Sequence, residues 1–212
     1  MNLQLGDVQE TMLIPLTIKA SESLRANARI YDGKAVEITK QLSLDLNKYD
    51  AFLSHEGVVS RTILFDRTMK AYLEKYPDAV CVNIGCGLDD RFSRVDNGKI
   101  HWYNVDLADA IAARKLFFKE TEREHMIAGS ILEANYTVSI PKDKMVILIA
   151  EGLFMYFTLE QIRRILDIIR HAFPNFVLLA ETNHPCMVKM SSQHDTVKHT
   201  NAVFRSGTKS GK

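Results

Sequence analysis

The sequence has few cysteines, no long hydrophobic run and no excess of charge of one sign. Its cysteines, Cys81, Cys86 and Cys186, form an odd set without Cys-x-x-Cys spacing. This favours a reduced, intracellular compartment over a disulfide-stabilised secreted fold. The seven histidines are scattered along the chain, so a metal site is not supported. No apolar stretch approaches the roughly 20 residues that span a bilayer.

Charge and the first residues exclude further classes of protein. The formal net charge is +1, which gives no bulk electrostatic case for binding nucleic acid or an anionic membrane. Residues 1–7 lack the basic and apolar segments of a secretory signal. We therefore expect a cytoplasmic protein, and the length suits one domain with a full hydrophobic core. The sequence does not indicate an oligomeric state.

The chain divides into three parts. In residues 1–75, apolar side chains recur at helical spacing, which predicts a helical N-terminal extension or lid. A turn at Tyr76-Pro77-Asp78 ends this part, because proline blocks continuation of a helix. Residues 76–190 are predicted to form the core domain. Residues 191–212 are polar and are predicted to be an incomplete C-terminal segment.

Short apolar runs in the core predict strands. They fall at residues 80–84, 101–105, 125–128, 145–150 and 176–180. The fourth and fifth are apolar on both faces, as expected for central strands of a parallel sheet that helices cover on each side. Alternation of strands and helices predicts a doubly wound α/β fold.

One helix of the core carries clear start and packing signals. Thr158 and Gln161 have the spacing of a capping box. The apolar residues that follow recur at helical spacing and predict one buried stripe. This stripe consists of Ile162, Ile165, Leu166 and Ile169.

The first strand runs into a glycine turn, Gly85-Cys86-Gly87. A strand that ends in Gly-x-Gly and leads to a helix offers a backbone surface that a ligand can approach closely. Asp106 ends the next strand, 19 residues after Gly87, and an acid there is the expected partner of ribose hydroxyls. Cys86 is interpreted as a small turn residue rather than a nucleophile. The turn therefore predicts a nucleoside cofactor.

The residues after the turn favour one cofactor over another. A dinucleotide site needs a third glycine and an open helix N-terminus for the pyrophosphate. Here that position carries Asp90, preceded by Asp89. Two carboxylates would repel a pyrophosphate but could help hold a sulfonium and its amino acid tail. This charge argument favours S-adenosylmethionine over NAD.

Residues 83–94, NIGCGLDDRFSR, resemble the signature of the leucine carboxyl methyltransferase-like family, which includes bacterial O-methyltransferases of the polyketide-tailoring type. Segments 6–11, 61–66, 104–107 and 151–157 agree with it. The resemblance implies a class I methyltransferase with a Rossmann-like sheet and S-adenosylmethionine as its cofactor. The implied acceptor is a carboxylate or hydroxyl of a small molecule, or a carboxyl group of a protein.

The resemblance also implies roles for residues on the first two strands and upstream of them. Arg61 would pair with the methionyl carboxylate of the cofactor, which suits a bidentate guanidinium. Gly85 and Gly87 would let the backbone lie against the cofactor. Asp106 would bind the ribose diol.

Further roles follow from the same resemblance. Ser130 and Ile131 would frame the adenine, and Glu151 would face the amino end of the cofactor. Tyr156 is the candidate for the methyl-transfer site, with aromatic packing as an equal alternative. Lys19 is a further candidate contact from the N-terminal part.

Two departures from the family pattern accompany the resemblance. Asp90 stands where the family has threonine. Family members also carry further strands beyond the point at which this chain ends, so the resemblance predicts that C-terminal strands are missing.

The reaction and two alternative functions stay open. For methyl transfer from a sulfonium, the enzyme must hold an oxygen of the acceptor near the methyl carbon and must exclude water. A carboxylate needs no base, whereas a phenol or alcohol does, and His55 and His184 are the imidazoles available, each better explained as structural. The alternatives are a dinucleotide-dependent oxidoreductase and a truncated, non-catalytic cofactor-binding remnant.

Overall fold

The fold, obtained as a computed structural model, is described for residues 9–189 and 202–209. These residues form a parallel sheet with helices on both faces. Its strands are β1 (Val80–Ile84), β2 (His101–Asp106), β3 (Glu124–Ala128), β4 (Val146–Ala150) and β5 (Phe176–Ala180). The strand order is β3-β2-β1-β4-β5, and all neighbours are parallel. The predicted doubly wound α/β fold is confirmed.

Helices precede, connect and follow the strands. They are α1 (Leu13–Ser23), α2 (Gly33–Gln41), α3 (Phe52–Lys75), α4 (Arg91–Val95), α5 (Ala108–Arg114), α6 (Leu159–Ala172) and α7 (Pro185–Lys189). The first three lie within the predicted N-terminal extension. Within the described ranges, no helix is long and apolar enough to cross a membrane.

The five predicted strands form within one residue of their expected bounds, but β5 differs in its position. All residues of β4 are buried, whereas those of β5 are half-buried or exposed, and β5 is an edge strand among the described residues. Among these residues β5 therefore pairs on one side only, which differs from the central position that its apolar pattern predicts. Leu178 and Leu179 contact the hydrophobic clusters on opposite faces of the sheet. An apolar pattern along a strand indicates that helices cover its two faces. It does not indicate whether another strand pairs with each of its edges.

The predicted start of α6 is confirmed. The Gln161 amide N–H donates to Thr158 Oγ1 at 3.2 Å, and the Thr158 amide N–H donates to Gln161 Oε1 at 2.9 Å. Ile165 and Ile169 of the predicted stripe are fully buried against one face of the sheet, while Leu166 is half-buried.

Helix α3 packs on the other face of the sheet. Its residues Phe65, Met69 and Leu73 contact a cluster that includes Ile147 and Ile149 of β4. The helix therefore crosses the sheet with its N-terminal half near the carboxyl ends of the strands. This placement brings Arg61 to the end of β4.

The end of the chain is described only at residues 202–209; the rest of the predicted segment 191–212, like residues 6–8 of the motif at 6–11, lies outside the described residues. The Arg205 amide N–H donates to the Met155 carbonyl at 2.7 Å, and Ser206 Oγ donates to the Phe154 carbonyl at 3.0 Å. Phe204 is buried. Residues 202–209 therefore pack against the segment after β4.

Candidate functional site

A cavity of about 810 Å³ lies at the carboxyl ends of the strands. In open α/β sheets this is the edge at which ligands bind. The cavity brings together the residues to which the family resemblance assigns a role at the cofactor or methyl-transfer site. These are Lys19, Arg61, Gly85, Gly87, Asp106, Ser130, Ile131, Glu151 and Tyr156.

Both glycines of the turn adopt backbone conformations that side chains disfavour. Their φ angles are 68° at Gly85 and 47° at Gly87. A Cβ on Gly85 would lie 2.7 Å from Leu153 Cδ1, and a Cβ on Gly87 would lie 3.0 Å from Met12 Cβ. The positive φ angles therefore favour glycine at both positions, and the side chains of Leu153 and Met12 lie over the turn. The contact of the turn with a cofactor stays a prediction.

Hydrogen bonds from both sides fix the turn. Asp106 accepts from the amide N–H groups of Gly87 and Leu107, each at 2.8 Å. The buried Arg114 donates from Nη1 to the carbonyls of Gly87 at 3.2 Å and Asp89 at 2.8 Å. Burial raises the pKa of Asp106, and the two amide donors oppose that rise. The carboxylate retains lone pairs for a further donor.

Cys86, at the centre of the turn, is buried. Burial raises the pKa of its thiol, so the group is neutral at physiological pH. A neutral, buried thiol agrees with the interpretation as a small turn residue rather than a nucleophile.

The Asp89 carboxylate is surrounded by cations of the protein. It contacts Lys19 Nζ, Arg91 Nη1 at 3.3 Å and Arg94 Nη2 at 3.1 Å. Burial alone would raise the pKa of Asp89, but Arg91, Lys19 and Arg94 hold it well below its usual range. The negative charge is therefore already compensated within the protein.

Asp90 is not among the residues that line the cavity. Its carboxylate accepts a hydrogen bond from Ser93 Oγ at 2.7 Å, and burial raises its pKa. The charge argument that used Asp89 and Asp90 as two free carboxylates is therefore wrong, because one is neutralised and the other faces elsewhere.

Two arginines of α4 connect the turn to the N-terminal helices. Arg91, which is 1% exposed, donates from Nε to Asp66 Oδ1 at 2.7 Å and from Nη2 to Glu151. Arg94 donates to Asp66 Oδ2 at 2.7 Å and to Asp32 Oδ2 at 2.9 Å. We call this group the ionic cluster. It consists of Lys19, Asp32, Asp66, Asp89, Arg91, Arg94 and Glu151.

Arg61 lies between two carboxylates at the ends of β4 and β5. Its Nε donates to Glu151 Oε1 at 3.0 Å, and its Nη1 lies 3.2 Å from Glu181 Oε2. Burial would lower the pKa of Arg61, but Glu181 and Glu151 raise it, so the guanidinium is charged. Burial would likewise raise the pKa of Glu151, and Arg91 and Arg61 lower it.

Sequence reasoning missed Glu181, which lines the same cavity. The available signal was its position, since an acid directly after a strand is the pattern that identified Glu151 and Asp106.

Ser130 and Ile131 follow β3 and lie beside Asp106. The Gly129 amide N–H donates to the Asp106 carbonyl at 2.9 Å, and Ser130 Oγ accepts from the Leu132 amide N–H at 3.3 Å. Ile131 is buried in the core. Their contact with adenine stays a prediction.

Tyr156 borders an apolar part of the cavity. Its ring centroid is 5.7 Å from that of Phe204, and Met155 and Ile14 also line the cavity here. Burial raises the pKa of the Tyr156 phenol, so it is protonated at neutral pH. The aromatic packing role proposed for Tyr156 is thus present in the structure.

Neither histidine considered as a base lines the cavity. His55 is buried, with Nε2 2.8 Å from Glu22 Oε2 and Nδ1 bonded to Asp50. His184 is exposed and contacts Cys186 Sγ at 3.0 Å. His55 therefore has a structural role between two helices and a loop.

Known proteins resemble this chain in sequence and in fold. The model of the family described as leucine carboxyl methyltransferase matches residues 20–170, well over half of the chain. The chain belongs to this family. It is an S-adenosylmethionine-dependent methyltransferase, as its sequence predicts. The dinucleotide-dependent oxidoreductase is not favoured by these matches.

Two curated relatives of the methyltransferase extend over most of its length. It is 26% identical over 208 residues to the tetracenomycin polyketide synthesis O-methyltransferase TcmP of Streptomyces glaucescens, covering 95% of this chain and 76% of TcmP. It is 24% identical over 187 residues to the S-adenosyl-L-methionine-dependent methyltransferase dpfgK of Gibberella zeae, covering 80% of this chain and 62% of dpfgK. The chain thus spans less than two thirds of the length of dpfgK.

A crystal structure agrees with the methyltransferase fold. The protein from Thermobifida fusca YX, described as a methyltransferase, superposes with a TM-score of 0.58 at 12% identity. The match covers 89% of this chain and 74% of that chain. At this identity the likeness shows the fold alone.

Proposed function

We propose that this methyltransferase transfers a methyl group to an oxygen atom, either a carboxylate or a hydroxyl, of a small organic molecule. The observation that carries the proposal is the lining of the cavity. It combines polar residues, among them Asp106 and Arg61, with an apolar group that includes Ile14, Met155 and Tyr156. Such a mixed lining suits a nucleoside cofactor together with an apolar acceptor. TcmP, which is described as an O-methyltransferase of polyketide synthesis, supports the same reaction.

The polar residues of the lining fit S-adenosylmethionine. Asp106 would accept hydrogen bonds from the ribose diol with its remaining lone pairs, while Ser130 and Ile131 frame the adenine. Arg61 would bind the methionyl carboxylate, and Glu151 would face the amino group. The turn at Gly85 and Gly87 leaves no side chain of its own between backbone and ligand.

Lys19 is better suited to supporting the site indirectly than to contacting the cofactor. Its Nζ contacts Asp89 and lies 3.7 Å from Asp32 Oδ2. Both acids are outside helix α1, so the lysine joins this helix to the core. We propose that Lys19 supports the site by holding α1 in place.

The bound cofactor supplies an electrophilic methyl group, and the protein positions the acceptor oxygen and excludes water. The described residues that line the cavity include no histidine. Of its carboxylates, Asp89, Glu151 and Glu181 are paired with arginines, and Asp106 is the proposed partner of the ribose. This supports an acceptor that is already ionised, namely a carboxylate or an acidic phenol, because such a group needs no base.

Methyl-transfer assays with a chemically sorted acceptor panel test the proposal. The purified protein is incubated with S-adenosylmethionine and aryl carboxylates, phenols, alcohols, amines or thiols, and products are identified by mass spectrometry. We expect methyl esters or methyl ethers. Transfer only to amines or thiols would contradict oxygen methylation. Binding of S-adenosylhomocysteine without transfer to any acceptor would favour the non-catalytic remnant.

Replacing Tyr156 with phenylalanine separates packing from catalysis. The Tyr156 hydroxyl bonds to Thr11, and its ring packs at a tilt of 49° against that of Phe204. Loss of one neutral hydrogen bond should change kcat and the acceptor KM by no more than about threefold. Tyr156→Ala removes the apolar wall and should raise the acceptor KM by roughly tenfold. A loss of kcat of about a hundredfold or more in Tyr156→Phe would instead assign the phenol a proton-transfer role.

A further inference from the structure

Glu181, the residue directly after β5, joins two parts of the cofactor site. Its carboxylate accepts from the Gly152 amide N–H at 2.7 Å and from Arg61 Nη1 at 3.2 and 3.3 Å. Its own amide N–H donates to the Ala150 carbonyl at 3.0 Å, which continues the pairing of β5 with β4. The sheet therefore fixes the main chain of Glu181, and the Gly152 amide and Arg61 hold its carboxylate.

The guanidinium of Arg61 packs against the same glycine. Gly152 has a φ of 66°, and a Cβ there would lie 3.3 Å from Arg61 Nη2. Glu151 takes the Nε hydrogen of Arg61, and Glu181 contacts Nη1. Among the described contacts, the Nη2 hydrogens are left for another acceptor in the cavity. Arginine offers five N–H donors, so a ligand carboxylate can bind while both glutamates stay in place.

The side chain of Arg61 needs such support. It is 22% exposed, and a long side chain with that freedom has several rotamers of similar energy. Glu151 alone contacts one nitrogen and is shared with Arg91. The second carboxylate adds a contact at Nη1, which restricts rotation of the guanidinium plane about the Cδ–Nε bond.

We propose that Glu181 is a positioning residue, which orients Arg61 so that its Nη2 edge faces the methionyl carboxylate of the cofactor. This inference rests on the proposed role of Arg61 as the partner of that carboxylate. Because Glu181 acts through Arg61, its replacement should weaken only the binding of ligands that carry the carboxylate. The replacement should have no further effect on affinity when Arg61 is absent.

Binding measurements on chosen ligands test this. Dissociation constants are measured by calorimetry for S-adenosylhomocysteine and for decarboxylated S-adenosylmethionine, which keeps the amino group and lacks the carboxylate. Glu181→Gln should weaken S-adenosylhomocysteine about tenfold and change the decarboxylated ligand by less than about twofold. Arg61→Met should weaken S-adenosylhomocysteine at least as much, and adding Glu181→Gln to it should cause no further loss.

A matched control removes the same charge outside the cavity. Glu56 lies on α3, like Arg61, and pairs with Arg29 at 2.7 Å. Glu56→Gln should leave both affinities unchanged. Thermal unfolding without ligand checks that each variant is folded, and glutamine at 181 keeps an acceptor for Gly152.

Each contrary outcome has a distinct meaning. Equal weakening of both ligands by Glu181→Gln would overturn positioning, because it indicates direct binding of the amino group or a general structural effect. Tighter binding of S-adenosylhomocysteine would also overturn it, since Glu181 would then compete with the ligand carboxylate. Unchanged binding in Arg61→Met would refute the proposed role of Arg61 itself. Weak binding in Arg61→Met with unchanged binding in Glu181→Gln would refute only the positioning role.

Discussion

Asp106→Ala should reduce the affinity for S-adenosylhomocysteine by roughly a hundredfold or more. Two hydrogen bonds from ribose hydroxyls to an ionised acceptor would be lost, each contributing about 1.5–3 kcal/mol. The variant also leaves the Gly87 amide N–H without the carboxylate that accepts from it at 2.8 Å. Calorimetric titration of the folded variant measures the change.

The neighbouring acid provides the control for this change. Asp109 lies in the first turn of α5, and it is not a cavity-lining residue. Asp109→Ala removes the same charge and should change affinity by less than about threefold, in keeping with a screened charge. Because burial raises the pKa of Asp106 and the ribose needs the ionised form, wild-type affinity should fall as pH decreases through that raised pKa. Equal affinities in the two variants would refute the ribose contact.

Replacing Arg91 with methionine should cost about 3–5 kcal/mol in the free energy of unfolding, because it leaves buried carboxylates without their shared cation. Arg91 is 1% exposed and contacts Asp66, Asp89 and Glu151. For a chain of this size, the expected fall in Tm is roughly 6–20 °C. Thermal and denaturant unfolding measure it.

An exposed ion pair gives the comparison. Lys144 is 3.2 Å from Asp78, with side chains 40% and 61% exposed. Lys144→Met should change the free energy of unfolding by less than about 1 kcal/mol. If Arg91→Met were as stable as Lys144→Met, the ionic cluster would have no such role in stability.

The cost of removing Arg91 should depend on pH. In the wild type, burial opposes ionisation of Asp89 and Glu151, but the arginines lower both pKa values below their usual range. A lowered pKa stabilises the fold fully above the unfolded-state pKa values, about 4, and the stability is lost as pH falls below them. The difference between wild type and Arg91→Met should therefore be largest near neutral pH and shrink in acid.

The fold could be predicted well because its signals are local. Each strand is a short apolar run, and the glycine turn and Asp106 follow two strands directly. Parallel pairing then brings the ends of separate strands to one edge, where Arg61, Asp106 and Glu151 meet. Family resemblance added the roles of these residues, which position alone does not supply.

Other features depend on contacts that separate segments make in three dimensions. The spacing of Arg91 and Arg94 places them on one face of α4, but their partners come from α2, α3 and the end of β4. For the same reason, the sequence could not show that neighbouring cations compensate the negative charge of Asp89. The position of β5 at the edge of the described strands depends on the order of strands in the sheet. A hydrophobic pattern does not encode this order.

The hydrogen bonds that hold the glycine turn come from the protein itself. Arg114 holds its carbonyls from one side, and Asp106 holds an amide N–H from the other. Ordering a loop on binding costs conformational entropy, and a preformed loop avoids that loss. The entropy lost on cofactor binding should then come from the ligand and from Met12 and Leu153, whose side chains lie over the turn.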